Sequence, residues 1–146
     1  MKDIAVNRKA YHDFFIEETY EAGMALLGSE IKSLRKGKVS LKEAYVSFSG
    51  GEAFVKGMHI ASYKEATYND HDETRDRKLL LHKSEISRLD SKCRIKGFTC
   101  IPLRVYLKDG RAKLEIALAK GKTLYDKRES DKKRDMDRQA RQGMRI

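Results

Sequence analysis

Residues 103–119 constrain the fold more than any other stretch of the chain. Leu103, Val105 and Leu107 alternate with Arg104, Tyr106 and Lys108; after Asp109-Gly110, Ala112, Leu114, Ile116 and Leu118 alternate with Lys113, Glu115, Ala117 and Ala119. A period of two sends successive side chains to opposite faces of a strand, whereas a helix would scatter the same residues around its circumference. Asp-Gly is a type I′ turn signal. The segment therefore predicts an antiparallel hairpin with one buried face and one charged face. A second hairpin is predicted by Tyr45-Val46-Ser47-Phe48, the turn Ser49-Gly50-Gly51, and Glu52-Ala53-Phe54-Val55.

The remaining elements are shorter. His12 to Leu27 is rich in aromatic and β-branched residues and reads as a strand interrupted at Gly23. Ser29 to Gly37 reads as a short helix with Ser29 as N-cap, Leu27, Ile31 and Leu34 on one face, and Gly37 as its stop. Asn69 to Arg77 is a polar loop leading to Lys78-Leu79-Leu80-Leu81. A second helix is expected from Ser84, its N-cap, to Gly97, with Ile86, Leu89 and Cys93 as its apolar stripe. Together these predict a mainly β domain: a small antiparallel barrel of the oligonucleotide-binding (OB) type with embedded short helices.

The end of the chain is different. Residues 120–146 hold ten Lys and Arg against five Asp and Glu, half the net charge of +10, with apolar residues too few to build a core. Such a segment is expected to be disordered alone. The i, i+4 pairs Glu129/Lys133 and Asp137/Arg141 suit a helix formed on a partner. The expected organisation is a barrel over 1–121 and a basic tail over 122–146.

Charge narrows the function. With 32 Lys and Arg against 22 acids, the expected partner is a polyanion. The longest apolar runs span a few residues, far below the roughly 20 of a membrane helix, and no apolar signal segment is present. Cys93 and Cys100 match no zinc or C-x-x-C spacing and are expected to be reduced, at or near the core, in a cytoplasmic protein.

Catalytic motifs do not assemble. Gly121-Lys122-Thr123 ends like a phosphate-binding loop, but the glycine required five positions earlier is Ile116. Asp70-His71-Asp72-Glu73 could serve a metal or a nuclease only through a special turn, and a solvated loop is the plainer reading. What remains are basic clusters, Asn7-Arg8-Lys9, Arg75-x-Arg77-Lys78, and Lys113 with Lys120 and Lys122, with Tyr11, Tyr63, Tyr68 and Tyr106 nearby. Basic groups hold phosphates, while rings and amide or carboxyl groups read unpaired bases. A ribosomal protein or general RNA chaperone fits this pattern equally well.

Six ordered blocks are more specific. They are Asn7 to Glu18 with Tyr20-Glu21-Ala22-Gly23, Gly28 to Lys38, Arg75 to His82, Ile101-Pro102-Leu103, Ala119-Lys120-Gly121-Lys122, and Tyr125-Asp126-Lys127-Arg128. In these the chain resembles the SsrA-binding protein family, also called small protein B, over nearly its whole length. The resemblance implies an OB-type barrel, no enzyme activity and no cofactor. It implies binding to the tRNA-like end of tmRNA and delivery to stalled ribosomes with the elongation factor that carries aminoacyl-tRNA. A monomer is expected. Asn7, Glu21 and Leu80 match family positions tied to tmRNA binding, with Arg8, Lys9, His12, Gly23, Arg75, Arg77, Lys78, His82, Lys120 and Lys122 around them. Tyr125, Asp126, Lys127 and Arg128 match the tail motif linked to the decoding centre and empty mRNA path, and Lys132, Lys133 and Arg134 extend it. Two positions depart from the family pattern: His82 stands where Asn occurs, and Glu73 replaces a proline, which is expected to loosen its loop.

Overall fold

The computed structural model describes residues 3–62 and 71–122. Nine strands and three helices succeed one another in this part of the chain: β1 (Asp3–Val6), α1 (Arg8–Asp13), β2 (Phe14–Met24), α2 (Gly28–Arg35), β3 (Val39–Ser40), β4 (Tyr45–Ser49), β5 (Glu52–Lys56), β6 (His59–Ile60), β7 (Arg77–Leu80), α3 (Lys83–Cys93), β8 (Phe98–Lys108) and β9 (Arg111–Gly121). Seven strands form one antiparallel sheet in the order β1-β8-β9-β2-β7-β5-β4, and β3 pairs with β6. The ladder does not join β1 to β4; instead the sheet curls so that β4 packs back on β8. The mainly β, antiparallel architecture with short helices is the one the alternation predicts.

The β8–β9 hairpin turns at Asp109 and Gly110, both with positive φ (52° and 75°), as a type I′ turn requires. Val105, Leu114, Ile116 and Leu118 point into the main core with Ala22, Val46, Val55 and Leu79. The one-face rule fails beyond the register shift between Pro102 and Arg104. An extra residue in one strand reorients the residues beyond it, and Leu103 joins Ile101, Ala117 and Ala119 in a second cluster on the outer face, covered by Ala10 of α1. Both faces of the hairpin are therefore apolar at that end.

Three local expectations change. His12 belongs to α1, not to the strand after it, and β2 runs through Gly23 without interruption. Neither helix is capped by its serine. Glu30 Oε1 accepts the Leu27 amide proton (2.8 Å) and Glu85 Oε1 that of His82 (2.9 Å), the acidic half of a capping box in each case. Ser29 is left to pair its hydroxyl with His71 Nδ1 (2.9 Å). Finally, α3 ends at Cys93, four residues before Gly97.

Both cysteines are free; Cys100 is buried, and burial pushes its thiol pKa far up. Among the described residues, no helix is long and apolar enough to cross a membrane.

Candidate nucleic-acid interface

Strand alternation sorts the Arg75 to Leu81 block. Arg77 and Leu79 point inward, 0% and 1% exposed, while Lys78 and Leu80 point outward, with Leu80 55% exposed. Gly23 of β2 lies opposite Leu80, and Met24 opposite Leu79. A Cβ on Gly23 would stand 3.3 Å from Leu80 Cβ, so the glycine leaves the leucine room to lie open on the sheet. Around them runs an open groove of about 750 Å³, lined by Glu21, Gly23, Lys78, Leu80, His82 and Lys113, with the Gly50–Gly51 turn at one wall and Lys83 of α3 at another.

Glu21 is one of three acids lining this groove, with Glu52 and Glu85, against Lys78, Lys83 and Lys113; its side chain is 38% exposed. The Tyr106 hydroxyl donates to its Oε2, and Lys108 Nζ lies 3.5 Å from Oε1. The Tyr106 hydrogen bond, with help from Lys108 and Lys113, outweighs desolvation and holds the Glu21 carboxyl below its ordinary pKa. It is a carboxylate at neutral pH, an acceptor among cations. Lys78 Nζ bonds Glu52 Oε1 at 3.2 Å on the exposed face. His82 precedes α3 and contributes its backbone amide to the Glu85 cap.

The structure does not bring the other named residues here. Arg77 is a correction: its Nε bonds Glu30 Oε2 at 2.6 Å and its Nη1 bonds Met58 O at 2.5 Å, in the interior, where no RNA reaches. Arg75 is half-buried against the same acid (Nη2 to Glu30 Oε1, 2.7 Å) and against Ala25 O (3.2 Å). Burial raises the Glu30 pKa, but hydrogen bonds from Arg75, the Leu27 amide and Arg77 more than reverse it and keep the group ionised. Asn7 caps α1, accepting from the Ala10 amide (3.3 Å) while its amide donates to Pro102 O (3.0 Å). It lines a separate groove of about 270 Å³ with Lys9 and Tyr45. Arg8 is exposed on α1, and His12 Nδ1 faces Asp13 at 2.9 Å. Lys120 lies over Phe98 (6.0 Å) and Lys122 over Phe15 (5.1 Å). Lys113 does not cluster with them, since seven residues of strand separate it from Lys120, about 23 Å at the usual rise.

The loop residues are also reassigned. His71 is buried between Ser29 and Ile60 O, and Glu73 binds His59 Nε2 (2.7 Å) and the Ser62 amide and hydroxyl (3.1 and 2.9 Å). Glu73 ties its loop down where a looser one was expected. Among the described residues, no group of three metal-ligating side chains forms. Asp70, Tyr63 and Tyr68 lie outside the described residues, as do Tyr125, Asp126, Lys127, Arg128, Lys132, Lys133 and Arg134. What sequence reasoning missed was the bond from Tyr106 to Glu21. Tyr106 and Glu21 are 85 positions apart, and no local pattern links them.

Comparison with known proteins agrees with the architecture. The family model described as SmpB protein matches residues 4–146. The SsrA-binding protein of Persephonella marina is 55% identical over 95% of this chain and 91% of its own length, and that of Bdellovibrio bacteriovorus is 52% identical with the same coverage. A solved chain from "tmRNA-SmpB: a journey to the center of the bacterial ribosome" superposes with a TM-score of 0.69 at 47% identity, covering 82% of this chain and 84% of that one. With its sequence matched almost from end to end and its fold superposing on that chain, this protein belongs to the SmpB family.

Proposed function

We propose that this chain binds the tRNA-like part of tmRNA and delivers it to stalled ribosomes for trans-translation. The observation that carries the reading is the groove in which exposed Leu80 lies beside Gly23, with the Glu21 carboxylate and the cations Lys78 and Lys113 around it. The relatives' names, SsrA-binding protein and tmRNA-SmpB, support it. Lysines attract phosphates without regard to sequence, whereas a carboxylate such as Glu21 repels phosphate and accepts from base or sugar donors. Leu80 supplies an apolar surface on which a base or ribose can pack. Asn7 acts by holding α1 to β8, so that Arg8 and Lys9 stand outward.

The protein acts in the cytoplasm, without catalysis or cofactor, and contacts the elongation factor through tmRNA. The barrel, 1–121, holds the RNA; the tail from 122, with Tyr125 to Arg128 and Lys132 to Arg134, occupies the decoding centre and empty mRNA path. Ordering such a tail costs entropy that a long anionic channel can offset.

Purifying the protein from its host and sequencing the bound RNA tests the reading. One dominant tmRNA is expected; predominantly ribosomal RNA would favour a ribosomal or chaperone role, and metal-dependent RNA cleavage a nuclease. Truncation before Tyr125 is expected to keep most tmRNA affinity and to abolish peptide transfer on ribosomes stalled without a codon. Equal loss of both would make the tail part of the tmRNA site.

A further inference from the structure

Glu21 on β2 stands directly opposite Glu115 on β9. Two carboxylates facing each other across a ladder repel, and the outer face separates them. Glu115 accepts from Arg104 Nη2 (3.2 Å), whose Nη1 also bonds Asp3 (2.7 Å). Glu21 is taken by Tyr106. The Tyr106 ring is 1% exposed and lies beneath the Arg104 guanidinium, 4.5 Å from centroid to Cζ. A phenylalanine would fill the same space, so packing alone does not require the hydroxyl.

We propose that Tyr106 is a positioning residue for RNA recognition: its hydroxyl anchors Oε2 of Glu21 and orients Oε1, which Lys108 Nζ approaches at 3.5 Å, to accept from donors on the RNA. This rests on the reading that the groove binds tmRNA. A glutamate on a strand has three side-chain torsions to lose on binding, and an anchor that has already restricted them lowers the cost of recognition. The anchor also favours the ionised form, since burial and the hydrogen bond and charge of Glu21 together push the Tyr106 hydroxyl pKa far up. The other charged or titratable groups around Glu21 are Lys108 on β8, Lys113 and Glu115 on β9, Lys78 on β7 with its partner Glu52 on β5, His82 after β7, and Lys83 and Glu85 of α3. None of these replaces a neutral, buried donor that keeps its proton through the physiological range.

The test uses the full chain, a synthetic RNA of the tRNA-like part of tmRNA, and a random RNA of equal length. Tyr106→Phe is expected to weaken the tRNA-like RNA about five- to tenfold, a part of what a hydrogen bond to a charged group can contribute, and to leave random RNA within about twofold. In a Glu21→Ala background the same change is expected to add almost nothing, because its effect runs through the carboxylate. Carbon NMR of the Glu21 carboxyl is expected to show its titration midpoint rising toward the ordinary glutamate value in the Phe variant. An equal loss in both backgrounds would mean that Tyr106 acts through the fold and would overturn the proposal. Glu21→Ala impaired with Tyr106→Phe unimpaired would overturn it while leaving the groove as the RNA site. Full affinity in Glu21→Ala would remove both.

Discussion

Two glutamates, nine residues apart, show how this chain uses one chemistry in two ways. Glu30 is wholly buried, and it receives Arg77 at 2.6 Å, Arg75 at 2.7 Å and the Leu27 amide at 2.8 Å. Glu21 is half-exposed and receives one buried hydroxyl, with a lysine at the edge of hydrogen-bond range. The first has its acceptor sites occupied by the protein; the second keeps capacity for a ligand. Sequence alone does not separate the two roles: Glu30 precedes Lys32 and Arg35, while no Lys or Arg stands between Lys9 and Lys32 around Glu21. Burial, set by which way β7 and α2 face, separates scaffold from site.

The largest test of that contrast is Arg77→Ala. It leaves Glu30 buried with one guanidinium fewer, and breaking a buried pair costs about 3–5 kcal/mol; urea unfolding is the measurement. If stability were kept while RNA binding fell, Arg77 would be an RNA ligand and the contrast would collapse. Next comes the pair of neighbouring leucines. Leu79→Ala is expected to destabilise by about 2–5 kcal/mol, while Leu80→Ala stays within about 0.5 kcal/mol yet loses tmRNA affinity. Comparable stability losses would contradict the alternation on β7.

Glu21→Ala is expected to cost about 1–3 kcal/mol of tmRNA binding, by analogy with base-edge contacts in DNA, without a change in unfolding. A rise in affinity for tmRNA and random RNA together would make Glu21 a repulsive surface charge only. Binding should also weaken with salt, log K falling against log salt with a slope of roughly −3 to −5 if about four to six phosphates are neutralised. A flat response would argue against a phosphate-dominated interface.

The smallest effect is acidic. Glu18 accepts from Arg88 and from the Tyr20 hydroxyl, and the Arg88 bond foremost lowers its pKa to about 2. A depressed carboxyl contributes stability above its unfolded pKa and loses it as pH falls through the folded value. The contribution is therefore present above about pH 4.5 and fades toward about pH 2. Glu18→Gln should flatten the acid limb of a stability–pH curve across that window; an unchanged limb would show that the exposed pair contributes nothing.

Much of the fold is readable from pattern. The Leu103 to Ala119 hairpin, the Tyr45 to Val55 hairpin and the Ile86–Leu89 stripe are local periodicities, and each element forms where its period predicts. In the site, Glu21, Gly23, Lys78 and Leu80 are marked by the resemblance and do share one groove. Arg77 escapes a reading that treats a run of bases as a single surface. Applied to Arg77-Lys78-Leu79-Leu80, the period of two already sends 77 and 79 one way and 78 and 80 the other. Grouping Lys113 with Lys120 fails for a related reason, because it ignores the length of the strand between them.

The sequence by itself determined the elements, the excess of positive charge and the family, because turn chemistry, periodicity and composition act over a few residues or over the whole chain at once. Only the tertiary structure decided which charges remain available. Whether Arg77 meets Glu30, 47 positions away, or Tyr106 meets Glu21, 85 positions away, depends on register and on the curl of the sheet. Those are properties of many strands together, and the energy of a charge depends on the water left around it once they have closed.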